Sequence, residues 1–241
     1  IAAVLTRASP QDVVIWMHGI SVNKDEYLGF FRDGAKWLAD KGITSIRFDF
    51  RGHGESSGNS LDFSVVGQNL DTRAIMEFTQ REFAGSARIH IVGASFGAPP
   101  AIFAAARYAD TVESVCLVSP VLSYRRTFIE PETEWAKELF SRERLRNLDD
   151  TGRLFFDPEF CIGPRLVEEM RIIRPDTALG DLSQRVLVVH GNRDSMVPYA
   201  ATAHACDGLP HVTLVTLEGA DHGCMQEGDD EGVAPQSVAN K

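Results

Sequence analysis

Short apolar runs alternate along this chain with stretches whose apolar residues recur at helical spacing, and each run ends in a polar or glycine-rich turn. Residues 2–6 predict a short strand, and Ser9-Pro10-Gln11-Asp12 supplies a turn before Val13-Val14-Ile15-Trp16-Met17. That second run is apolar on both faces, as expected of a strand in the middle of a parallel sheet covered by helices. Tyr27, Phe31, Ala35 and Leu38 predict a helix over 27–40, with Gly42 placed to cap it. A strand over 44–50 follows, then a helix over about 64–83 with Val66, Leu70, Ala74 and Phe78 on one stripe. Residues 88–92 read as strand, 101–108 as helix and Val112–Val118 as strand. After an interruption come a strand over 185–189, a helix over Tyr199–Cys206 and a strand over Val212–Leu217. Strands separated by helical patterns imply right-handed crossovers, so the expected fold class is α/β with a mostly parallel central sheet flanked by helices.

Between residues 121 and 184 the alternation stops. Pro131, Glu132 and Glu134 open a predicted helix through Trp135, Leu139 and Arg142, and Pro164 opens a second containing Leu166, Met170 and Ile173. Gly152, Pro158 and Gly163 separate them, with Phe155, Phe156 and Phe160 nearby. The expected organisation is a core made of residues 1–120 and 185–241, interrupted by a helical lid insertion over 121–184 that covers the strand ends and excludes water. Tyr124, Arg125, Arg126, Trp135, Phe155 and Phe156 either line an aryl pocket or form the lid's own core, and the second is the expected role.

Composition narrows the function classes. With 241 residues, 44% hydrophobic and 24% charged, the chain suits one folded α/β domain with an insertion and excludes disordered and fibrous classes. A net charge of −10 argues against a phosphate-tracking surface, so no nucleic-acid partner is expected. Cys116, Cys161, Cys206 and Cys224 are scattered without a C-x-x-C pair, which predicts reduced, mostly buried thiols rather than a disulfide framework or zinc knuckle. No apolar run approaches the roughly 20 residues of a membrane span. No charged-then-apolar signal segment opens the sequence, so a cytoplasmic protein is expected, although Ile1 is not an initiator methionine. The acidic stretch Glu227, Asp229, Asp230 and Glu231 and the end to Lys241 read as frayed.

The candidate chemistry sits at strand ends. Gly93-Ala94-Ser95-Phe96-Gly97 joins the strand at 88–92 to the helix at 101–108. Gly-x-Ser-x-Gly at such a junction fits a nucleophile elbow, where small flanking residues let the backbone turn sharply and lift a strained serine above the sheet. A serine between glycines also occurs in ordinary loops, but rarely between a strand and a helix. Asp194 and His222 follow the last two strands, so all three residues lie past the carboxyl ends of parallel strands, along one edge. A serine hydroxyl needs a base, and His222 is expected to take its proton and return one to the leaving group while Asp194 orients the imidazole. Asp221 and Asp49 are weaker candidates for the acid. The backbone N–H groups of Phe96 and of Ile20, after His18-Gly19, are the expected donors to a developing oxyanion. His18 is expected to shape that loop by hydrogen bonding, and His53 with its glycines to brace the rim. His18, His53 and His190 lack paired ligand spacing, so no metal site is expected.

His18-Gly19, Asp49-Phe50-Arg51-Gly52-His53-Gly54-Glu55-Ser56, the elbow, His190-Gly191-Asn192-Arg193-Asp194 and Gly219-Ala220-Asp221-His222 together resemble the α/β-hydrolase superfamily. Within it they are most similar to serine esterases of the feruloyl (cinnamoyl) esterase and monoacylglycerol lipase type, over nearly everything except the insertion. The resemblance implies an α/β-hydrolase fold and a serine hydrolase of small or medium acyl or aryl esters, working through an acyl-enzyme without a cofactor. Three departures stand out. Ala94 precedes the serine where relatives often carry His. Pro99 and Pro100 fall in the first turns of the elbow helix, Pro100 being the one expected to distort it. The extra N-terminal strand and packed final helix of such enzymes are not evident, which reads the chain as clipped at both ends. A thioesterase or amide hydrolase uses the same intermediate and is the nearest alternative; a catalytically silent ligand-binding member of the fold is the alternative outside enzymes. A dehalogenase is disfavoured because Ser95 stands where such enzymes need Asp.

Overall fold

The apolar runs assemble into one seven-stranded sheet in the computed structural model, which describes residues 1–85 and 87–226. The acidic stretch from Glu227 onward lies outside the described residues. In chain order the first strands and helices are β1 (Ala3–Thr6), β2 (Ser9–Met17), α1 (Phe30–Asp40), β3 (Ile43–Phe48), α2 (Val65–Glu82), β4 (Arg88–Ala94), α3 (Ala98–Arg107) and β5 (Val112–Val118). The intervening segment contributes α4 (Glu134–Leu139), α5 (Arg142–Thr151), a small ribbon of β6 (Leu154–Phe155) and β7 (Cys161–Ile162), α6 (Pro164–Ile172) and α7 (Pro175–Gly180). The sheet resumes with β8 (Arg185–Gly191), α8 (Tyr199–Cys206) and β9 (Val212–Leu217). Its order is β1-β3-β2-β4-β5-β8-β9, parallel throughout except for the β1–β3 pair.

The reason is visible in β2. Val13, Ile15 and Met17 are fully buried and Val14 and Trp16 nearly so, which only a strand covered on both faces achieves. Each such side chain contributes roughly 1.5–3 kcal/mol of transfer free energy. Parallel pairing from β2 through β9 aligns the carboxyl ends on one edge, where the loops carrying the candidate residues emerge.

Four local expectations are corrected. The stripe Val66, Leu70, Ala74 and Phe78 is the outer face of α2, with Val66, Leu70 and Phe78 classed among the exposed hydrophobics. The buried face carries Val65, Ile75 and Met76 beside Gln68, Asp71, Thr72 and Thr79. Those polar groups have dedicated partners: Thr79 Oγ1 donates to the Ile75 carbonyl at 2.8 Å, and Asp71 binds Arg51 Nη2 at 2.6 Å. Apolar periodicity therefore marked the wrong side. The single helix expected through Trp135 and Arg142 is two, because Ser141 accepts from Arg144 N at 3.4 Å and starts α5 afresh. Tyr27 is not in α1 but in a short 3-10 turn before it, its ring largely exposed. Pro99 and Pro100 leave α3 continuous, since both sit in its first turn where no N–H donor is needed.

All four cysteines are free, and burial pushes the Cys116, Cys206 and Cys224 thiols up to about 11. Among the described residues no helix is long and apolar enough to cross a membrane.

Candidate active site

The elbow forms because β4 turns directly into the 3-10 turn Ser95–Gly97 and then α3. Ser95 itself takes φ 49, a left-handed conformation costly for a non-glycine residue and a mark of functional sites. The flanking glycines are dictated by backbone contact: a Cβ on Gly93 would lie 2.6 Å from the Gly97 carbonyl oxygen, and one on Gly97 only 2.0 Å from that of Met17. Two groups hold the elbow's carbonyls, Val121 N–H donating to Ser95 O at 3.0 Å and the buried Gln68 amide to Phe96 O at 3.4 Å. Phe96 packs its fully buried ring on Tyr124 and Phe128 at 5.3 and 5.7 Å.

Asp194 lies past the end of β8 with its carboxylate wholly inaccessible. His222 Nδ1–H donates to its Oδ2 at 2.8 Å, and His190 Nε2–H to the same oxygen at 2.9 Å. Oδ1 accepts from the Met196 and Val197 N–H groups at 2.9 and 2.8 Å. Burial opposes the charge, but the bonds from His190 and His222 prevail and hold the carboxyl below the usual carboxylate range. His222 shows the complementary balance: burial lowers its basicity, and the bond to Asp194 together with the nearby negative charges more than restores it, leaving the imidazole above its ordinary value. Asp221, a weaker candidate for the acid, instead uses Oδ1 to accept from Ser195 N, Ser195 Oγ and His222 N. Asp49 is likewise committed, to Lys24 and to the Glu55 amide.

Ser95 and His222 line one cleft of about 560 Å³, together with Gly19, Ile20 and Glu26 from the loop after β2 and with Trp135 and Phe156 from the inserted segment. The aromatic residues of that segment thus divide. Trp135 and Phe156 face the cleft, Tyr124 joins the core beneath, Phe155 is exposed, and Arg125 and Arg126 pair with Glu130 and Glu132.

The histidines of the rim are structural. His18 donates from Nδ1 to the Gly19 carbonyl at 2.7 Å and accepts from Phe50 N at Nε2, 3.0 Å, so it is neutral, and burial lowers it to about 3. His53 accepts from Ser21 N at 3.3 Å and donates to the Arg51 carbonyl at 3.1 Å, with burial lowering it to about 4. Sequence reasoning missed Glu26, Gln68 and the bond of His190 to Asp194; the apolar and acidic patterns carry no signal for any of them.

Comparison with known proteins agrees with this geometry. A family model described as "Alpha/beta hydrolase family" matches residues 13–236. The 2-(acetamidomethylene)succinate hydrolase of Mesorhizobium japonicum is 25% identical over 235 residues, spanning 87% of this chain and 81% of that protein. Human monoacylglycerol lipase ABHD6 is 31% identical over 108 residues, 44% of this chain and 30% of that protein. The structure of Est1E from Butyrivibrio proteoclasticus with bound ferulic acid superposes with a TM-score of 0.75 at 21% identity, covering 92% of this chain and 86% of that one. The structural likeness establishes the fold expected from the sequence.

Proposed function

Because the chain belongs to the alpha/beta hydrolase family, we propose that it is a serine hydrolase of carboxylic esters acting through an acyl-enzyme. The observation that carries this reading is the 2.8 Å bond to the buried Asp194 from His222, which lines the same cleft as a strained Ser95. In the proposed cycle Ser95 Oγ attacks the ester carbonyl as His222 Nε2 takes its proton, and Asp194, kept anionic by its donors, stabilises the imidazolium. Gly19 N–H is already spent on Glu26 at 2.8 Å, so the next amide, that of Ile20, is the donor assigned to the oxyanion together with Phe96 N–H. His222 then protonates the departing alcohol. Water, deprotonated by the same imidazole, releases the acid and restores Ser95.

Residues 121–184 serve in this reading as the lid, with Trp135 and Phe156 as the aromatic wall against which an acyl or aryl group packs. An aromatic acyl group fits such a wall, in keeping with the ferulic acid bound by Est1E. Amide cleavage is the second reading, favoured by the acetamido group in the name of the Mesorhizobium relative's substrate. Hydrolysis of p-nitrophenyl acyl esters, hydroxycinnamate methyl esters, acyl thioesters and acyl amides, compared between the native chain and Ser95→Ala, tests both. Ester turnover abolished by Ser95→Ala supports the proposal; turnover confined to amides or thioesters moves the assignment, and none at all favours a binding role.

A further inference from the structure

The loop between β2 and α1 holds an acidic group beside the nucleophile under backbone strain. Glu26 has φ 59 and ψ 174, and its neighbours Ser21 and Leu28 are also non-glycine residues at positive φ, 60 and 52. A conformation that unfavourable persists only where surrounding contacts hold it. Here the carboxylate does so, with Oε2 accepting from Gly19 N at 2.8 Å and Oε1 from Tyr27 N at 3.1 Å. The side chain is thereby held on the same glycine as the nucleophile: the point where a Cβ on Gly19 would sit is 3.7 Å from Glu26 Oε1 and 3.7 Å from Ser95 Oγ. Glu26 and Ser95 both line the cleft beside Gly19, so a substrate held at Ser95 lies within reach of the Glu26 charge.

Among the described residues that line the cleft, His222 is the one basic side chain beside this charge. Among the described residues the cleft's other charged lining side chains are Asp157, Asp221 and His222, and neither Lys nor Arg is one of them. Lys24, two residues before Glu26, is committed to Asp49 at 3.0 Å and Glu55 at 2.5 Å. Burial raises the Glu26 carboxyl above its ordinary value, while its two amide donors and His222 oppose that rise.

We propose that Glu26 is a specificity-determining residue that restricts the site to esters carrying no anionic group near the scissile carbonyl, so that its substrates are neutral or cationic esters. This rests on the ester-hydrolase reading above and names the substrate class for it. A carboxylate on the substrate meets a half-buried like charge in the same cleft, which lowers kcat/KM by on the order of a hundredfold. A trimethylammonium group at the same place meets no such barrier.

Methyl butyrate, monomethyl succinate and methyl trimethylammoniobutyrate share a four-carbon acyl chain and differ in the charge at its end, and methanol release reports all three. For the native chain we expect turnover of the neutral and cationic esters and a kcat/KM about a hundredfold lower for monomethyl succinate. In Glu26→Gln that ratio narrows about tenfold, because Asp157 and Asp221 remain. The charges facing His222 are Asp194 after β8, Asp221 on its own turn and Glu26 from the loop, so Glu26→Gln also shifts the acid limb of the neutral ester's pH profile downward. A purely structural role would leave both readouts unmoved. Equal turnover of succinate and butyrate esters by the native chain overturns the proposal whether or not the variant folds, as does an unchanged ratio in a folded Glu26→Gln. Failure of all three esters, with no acylation, overturns the ester-hydrolase reading and this inference with it.

Discussion

Gly97→Ala gives the sharpest test of how the elbow is built. The added methyl would lie 2.0 Å from the Met17 carbonyl oxygen and 2.6 Å from both the Met17 carbonyl carbon and the His18 oxygen. Ordinary contact begins at 3.4 Å, so the elbow and the end of β2 must separate by about 1.4 Å, and all three atoms belong to backbone that no rotamer relieves. Overpacking of this kind costs about 1–3 kcal/mol or more, and for a chain of this size each kcal/mol lowers Tm by roughly 2–4 °C. The functional cost is larger, because His18 precedes the loop that bears Ile20. Displacing Ser95 by about 1 Å relative to those donors costs on the order of a hundredfold in rate. Gly42→Ala is the control: it has φ +78 but nothing within 4 Å, so it loses about 1 kcal/mol and keeps its activity. Thermal unfolding and kcat/KM on p-nitrophenyl butyrate separate the two. A Gly97→Ala chain with native Tm and a rate within about twofold of native would refute the close approach of elbow to β2.

The site makes further quantitative demands. In the proposed cycle activity requires neutral His222, whose basicity stands above the ordinary imidazole value of 6.5, so kcat/KM should rise with pH through a midpoint above 6.5, and Asp194→Asn should lower that midpoint along with the rate. A midpoint at or below 6.5 in the native chain contradicts the pairing. His190→Phe removes a buried bond to an anionic acceptor and should cost about 1.5–3 kcal/mol in urea unfolding, with no loss indicating that the bond is energetically idle. Trp135→Ala should raise KM for hydroxycinnamate methyl esters several-fold and leave that for methyl acetate nearly unchanged; equal effects on both would remove Trp135 from the aromatic wall.

How much of this was legible depended on which residues carried the signal. The sheet was readable because the carboxyl halves of β2, β4, β5 and β8 are mostly buried and carry short apolar runs such as Val13–Met17 and Val115–Val118. Ser95, Asp194 and His222 could be proposed from the sequence because each follows a strand, and parallel strands bring their carboxyl ends to one edge. Helix α2 misled because its buried face is half polar: Gln68, Asp71 and Thr79 are satisfied by partners distant in sequence or by the helix itself, and periodicity measures only apolar positions. The break between α4 and α5 was hidden because Ser141 is an ordinary residue until its side chain caps a helix. Glu26 looked like one acid in a polar loop. Its role depends on a positive φ and on the Gly19 amide, both consequences of tertiary packing.

The central claim is that Ser95 becomes covalently acylated. Rapid quenching of the native chain with p-nitrophenyl butyrate, followed by intact mass and peptide mapping, measures this directly. The account predicts a burst of p-nitrophenol approaching one per chain and a single butyryl group on the peptide containing Ser95, both absent in Ser95→Ala. Ester turnover without a trapped acyl group, or a butyryl group that persists in Ser95→Ala, would contradict it.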